Sequence, residues 1–107
     1  MKKENELVTY KGADVIDVLC EVEYILISLR DIANYYYVHP QNEVTPDTDV
    51  AYAIETTRFI DKNRINDRLN KIRRILAESF DEEVGDDDMD DIERMVEKLN
   101  FWRKPGD

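Results

Sequence analysis

The chain has 107 residues, 42% of them hydrophobic and 37% charged, with a formal net charge of −10. A single domain of this size buries roughly two-thirds of its unfolded surface. Its apolar content is too high for a disordered chain, and its acid excess repels a nucleic-acid backbone at long range, so no direct nucleic-acid contact is expected. With only three glycines and three prolines, the turns that many short strands need are missing, which leaves helices.

Cys20 is the only cysteine, so no internal disulfide forms, and its apolar surroundings predict a small buried hydrophobe in a reducing compartment. No apolar run approaches the roughly twenty residues that span a bilayer. Met1-Lys2-Lys3-Glu4 is not followed by a hydrophobic region, so no signal peptide is expected. The expected location is cytoplasmic, away from membranes.

Residues 1–11 are polar apart from Leu7, Val8 and Tyr10 and are expected to form a flexible arm. A helix follows, capped by Asp14, with Asp17 at the positive end of its dipole. Asp14, Asp17, Glu21, Ser28 and Asp31 trace a narrow polar strip along it. The remaining apolar arc is wider than a surface helix needs, so this helix is expected to be covered from several sides, by its own chain or by a second copy. His39-Pro40 should end it near Val38, because the residue before proline is pushed out of the α region.

Thr45-Pro46-Asp47 has the chemistry of a helix start: cap, proline at the first position, acid in the first turn. Val50, Ala51, Ala53, Ile54, Phe59 and Ile60 continue it. Near Asp61-Lys62-Asn63 the apolar phase slips, and both a break with a new start at Asn63 and one continuous helix fit. Beyond it Ile65, Leu69, Ile72 and Leu76 alternate steps of four and three. Asp81–Asp88 reads as a solvated turn around Gly85. Asp86, Asp87, Asp88, Asp90 and Asp91 then crowd the start of a last helix whose apolar face is Met89, Ile92, Met95, Val96, Leu99 and Trp102, stopped by Pro105-Gly106. The expected fold is a single all-α domain, a compact antiparallel bundle of three long helices, or four if the middle one breaks near Asn63.

Charge is sorted into blocks. Gly12–Thr57 carries nine acids and one base, Arg58–Arg74 seven bases and two acids, and Glu78–Glu97 eleven acids and one base. In a bundle the basic helix can pair its flanks with acidic neighbours. Eight carboxylates between Asp81 and Asp91 exceed what a helix start requires, and their mutual repulsion would be relieved by a partner with a basic cleft.

No catalytic residue is assigned. His39 is the only histidine and has no serine or cysteine partner in the sequence pattern. The glycines are scattered and form no phosphate loop. Asp86, Asp88, Asp90 and Glu97 match parts of a calcium loop, but Asp91 stands where that loop needs glycine. Glu78 with Asp81, and Glu82-Glu83 with Asp86, give fragments of the magnesium-holding spacing of all-helical pyrophosphohydrolases of the MazG type. They fall in one turn, whereas that chemistry needs two facing helices. No metal and no cofactor are therefore assigned.

Tyr35, Tyr36 and Tyr37 project about 100° apart on a helix, so one core cannot hold all three rings, and an exposed tyrosine is a suitable interface anchor. Trp102 is expected to pack. The expected function is that of a small acidic binding protein which neutralises a partner with a basic functional surface, such as a toxin, a nuclease or a nucleic-acid-binding complex. Immunity proteins, antitoxins and phage-encoded inhibitors share this physical profile. The contact residues would be Asp81, Glu82, Glu83, Asp86, Asp87, Asp88, Asp90 and Asp91, with Tyr36 and Tyr37 as anchors. The alternatives are a homodimeric assembly module and, third, a metal-dependent nucleotide phosphohydrolase.

Overall fold

Four α-helices are present in the computed structural model, which describes residues 1–39 and 43–106. They are α1 (Gly12–Tyr37), α2 (Pro46–Lys62), α3 (Ile65–Ala77) and the short α4 (Asp91–Val96). A single 3-10 turn precedes them at Lys3–Asn5, and no strand occurs among the described residues. The fold is all-helical: three long helices pack together, and a short fourth follows. None of the helices among the described residues is long and apolar enough to cross a membrane. By contact, the chain divides into two compact units, Lys11–Ile75 and Met1–Tyr10 with Leu76–Asp107.

The larger unit is a hairpin. α1 begins at Gly12 with Lys11 at its N-cap, three residues earlier than the expected Asp14 cap, and Asp14 instead lies in the first turn. Pro40, expected to stop it, lies outside the described residues. α2 starts at Pro46 as its sequence predicts, and the backbone N–H of Thr45 donates to Thr48 Oγ1 at 2.9 Å. The middle element does break: Asn63 leaves the helical region and Arg64 takes a left-handed φ of 53°. α2 and α3 then run one after the other along α1, antiparallel to it.

Tyr24 fastens this break to α1. Its hydroxyl donates to Asn63 Oδ1 at 3.1 Å, and its ring centroid lies 5.9 Å from that of Phe59 on α2. The Arg68 guanidinium of α3 sits 4.1 Å above the same ring, a cation–π contact. Arg68 Nε also donates to the Asn63 carbonyl, which the interrupted helix leaves without a helical partner. One side chain of α1 thus holds the end of α2 and the start of α3.

The core is small. Val18 and Ile65 are the only hydrophobic residues that are buried among those described. The expected covering of α1 from several sides is not found among the described residues: Ile16, Leu19, Leu26 and Ile27 are exposed. Cys20, expected inside, is exposed as well, because it belongs to the face of α1 turned away from α2 and α3.

The smaller unit overturns two expectations. Residues 1–10 are not a loose arm: Asn5 is buried, and its side chain exchanges two hydrogen bonds with the backbone of Asp81, at 2.7 and 3.0 Å. Tyr10 Oη donates to the Leu76 carbonyl and Ser79 Oγ to the Thr9 carbonyl, extending the attachment. The long last helix shrinks to the six residues of α4. Upstream, Asp87 Oδ1 accepts from the Met89 N–H, and Asp88 has a left-handed φ of 59°, so these acids close a turn of the kind aspartate favours. Downstream, Lys98 and Leu99 N–H groups reach back only three residues, to Met95 and Val96, and the helix ends. Leu99, Phe101 and Trp102 therefore find no core, and Trp102 is 82% exposed.

Candidate interaction surface

In the hairpin, acids of α1 meet bases of α3. Arg68 Nη1 lies 3.2 Å from Glu21, and Lys71 Nζ lies 2.9 Å from Asp17 and 3.7 Å from Glu21. The hydrogen bond from Lys71 to Asp17 holds the ammonium pKa above its usual 10.5. Helical spacing makes this possible, since Asp17 with Glu21, and Arg68 with Lys71, each share one face. The other bases of the block are placed differently. Arg64, in the break before α3, pairs with Asp67 of its first turn at 2.7 Å, while Arg58 and Lys62 line a shallow cleft between α1 and α2 with Asp31 and Glu55.

The acidic segment of the smaller unit has fewer cations to draw on. Asp91 is 3% exposed. Its carboxylate accepts from the Lys2 backbone N–H at 2.7 Å, from Asn5 Nδ2 at 2.8 Å and from Arg94 Nη1 at 2.8 Å. These donors, Asn5 foremost and then the Lys2 N–H, hold its carboxyl below the usual range. Asp87 forms a two-pronged pair with Arg94, Nε at 2.8 Å and Nη2 at 2.9 Å. That fork, with the Met89 N–H, pulls its pKa down to about 2. Asp81 accepts from the Glu83 N–H and from Lys2 Nζ, and the backbone bond is the larger cause of its lowered pKa. Asp90 caps α4 by accepting from the Glu93 N–H at 2.8 Å. Gly85 lets the turn close on this cluster, because a Cβ there would stand 3.1 Å from Arg94 Nη2.

Of the eight acids expected to meet a partner, Asp81, Asp87, Asp90 and Asp91 thus have structural work inside the unit, and Asp90 and Asp91 are withdrawn from solvent. Their burial corrects the expectation that all eight are presented outward. Glu82, Glu83, Asp86 and Asp88 are exposed. Among the described residues Glu83 alone of these four has a nearby cation, Lys2 Nζ at 3.6 Å. Leu99, Phe101 and Trp102 are exposed on the same unit.

The tyrosines lie at the far end of the hairpin, in the seam between α1 and α2. Tyr37 Oη donates to Asp49, which raises the phenol pKa to about 12. The Tyr36 and Tyr37 rings both meet Tyr52 edge-on, and Tyr36 also meets Tyr35. Tyr36 is half-buried, whereas Tyr35 and Tyr37 retain exposed surface.

Among the described residues no group of three or more His, Cys, Asp or Glu side chains is placed to hold a metal ion. His39 lies against Tyr35, with 6.0 Å between ring centroids. The residues that sequence reasoning missed are Lys2, Asn5 and Arg94, which organise the acidic segment. Arg94 carried a signal as the lone base among eleven acids. Asn5 carried none, because its partners are 76 and 86 positions away. Comparison with protein-family models, with curated proteins and with solved structures yields no match.

Proposed function

We propose that the chain is an acidic binding protein that engages and blocks a partner through a basic surface of that partner, in a reducing, cytoplasmic setting. The observation that carries this reading is the difference in charge compensation between the two units. Arg68 and Lys71 of α3 answer Glu21 and Asp17 of α1, whereas Glu82, Asp86 and Asp88 stand exposed with no cation beside them among the described residues. A segment left this negative raises the encounter rate with a basic surface. Trp102 and Phe101, exposed on the same unit, are residue types that supply the slow-dissociating part of an interface.

The test is capture of interacting proteins by the intact chain and by a triple variant, Glu82→Lys, Asp86→Lys, Asp88→Lys. The reading predicts a basic protein retained by the first, lost from the second, and released by salt. A partner retained equally by both would contradict it.

A further inference from the structure

The face of α1 opposite α2 and α3 carries an apolar seam that is exposed. Ile16, Leu19, Cys20, Leu26 and Ile27 are exposed along it, Ile16 at 61% and Leu26 at 58%. Their spacing, steps of three and four through 16, 19, 23, 26 and 30, is the repeat by which one helix packs along another. The two positions of that repeat that are not apolar are Glu23 and Arg30. Glu23 is exposed with no ion pair among the described residues, and Arg30 has only the adjacent Asp31, at 4.0 Å.

We propose that a second copy of this chain covers this face, the two α1 helices lying antiparallel about a two-fold axis at Leu26 and Ile27, so that Glu23 of each copy pairs with Arg30 of the other. The arithmetic of the seam selects this arrangement. Residues 23 and 30 are equidistant from a point between 26 and 27, so one antiparallel alignment forms both ion pairs at once. The same alignment gathers Leu26 and Ile27 of both copies at the axis and sets Ile16 near Tyr37. A parallel alignment would oppose Glu23 to Glu23 and Arg30 to Arg30. A charged residue inside an apolar seam costs stability and fixes orientation, and a two-fold interface must be self-complementary. Glu23 within the seam disfavours a lipid surface, which would bury its carboxylate unpaired.

The experiment is sedimentation of the intact chain at tens of micromolar, with circular dichroism to confirm helix content in each variant. The wild type is expected at twice its 12.7 kDa mass. Glu23→Arg and Arg30→Glu each convert two attractive pairs into two like-charge pairs and should weaken the dimer by about tenfold or more. The double reversal should restore it, and an equimolar mixture of the single variants should form a heterodimer. Cross-linking reads the direction. In the antiparallel dimer the two Cys20 residues are about 20 Å apart along the axis, beyond disulfide reach, whereas Leu26→Cys with Cys20→Ser should give a disulfide-linked dimer under oxidation. A wild-type monomer at these concentrations, a dimer indifferent to both single reversals, or a disulfide through native Cys20 would each overturn the proposal.

Discussion

The hairpin and the smaller unit solve the same electrostatic problem in opposite ways. In the hairpin, carboxylates and cations come from helices distant in sequence and meet on facing sides, Glu21 with Arg68 and Asp17 with Lys71. Each pair is partly exposed, and removing one should change little. In the smaller unit one buried carboxylate, Asp91, gathers a backbone N–H, an amide and a guanidinium. There the polar contacts hold the unit together, because exposed Leu7, Leu99, Phe101 and Trp102 contribute so little core. The lesson is that the same residue type is structural where it is enclosed and available for binding where it is not.

The largest expected effect comes from removing the enclosed acid. Asp91→Ala leaves the Lys2 N–H, Asn5 and one prong of Arg94 without their acceptor, and buried donors without partners are costly. Residues 1–10 should detach, read as loss of amide-exchange protection at residues 2–6, while protection in α1 and α2 persists. Equal loss in both units would erase the distinction drawn here.

Next comes the fastening at the break. Tyr24→Ala removes the ring between Phe59 and Arg68 and should cost about 2 kcal/mol, less than a fully buried aromatic because the residue is half-buried. Tyr24→Phe, losing only the hydroxyl bond to Asn63, should cost about 1 kcal/mol. Denaturant unfolding measures both, and equal losses would show that the ring contacts contribute nothing.

The two units also part in their response to pH. Asp81, Asp87 and Asp91 have lowered pKa values in the folded state, so the stability they confer is full above the ordinary carboxylate range. It is lost as pH falls towards about 2, the value for Asp87. Lys71 and Tyr37, in the hairpin, are raised, so their contribution is full at neutral pH and fades as pH climbs past 10 towards about 12, the value for Tyr37. Lys2 is raised too, which adds an alkaline limb to the smaller unit. Chemical-shift titrations should therefore show residues 1–10 released in strong acid.

The smallest effect is expected from Asp17→Asn, which breaks one exposed pair and should shift the melting temperature by no more than a few degrees.

Much of the hairpin was legible because its signals are local. Thr45 and Pro46 mark the start of α2, and the phase slip near Asn63 marks the place where Arg64 turns left-handed. The smaller unit was not legible, because its organising contacts are long-range. Apolar spacing from Met89 to Trp102 implied a long helix, yet Asp87, Asp88 and Asp90 were already committed to a turn and a cap. For the candidate surface, the sequence located the acidic segment but could not separate enclosed Asp91 from exposed Asp86, which depends on Asn5. Cys20 was misplaced for the opposite reason: apolar residues around most of α1 imply covering, and none is supplied by the described residues.

The most direct test of the central claim is the association rate with the captured basic partner, measured from low to high salt for the wild type and the turn variant. If Glu82, Asp86 and Asp88 are the uncompensated charges that steer encounter, the wild-type rate should fall steeply with salt, and the variant should be slow at low salt with a flattened dependence. A wild-type rate unchanged by salt, or a variant as fast as the wild type, would contradict it.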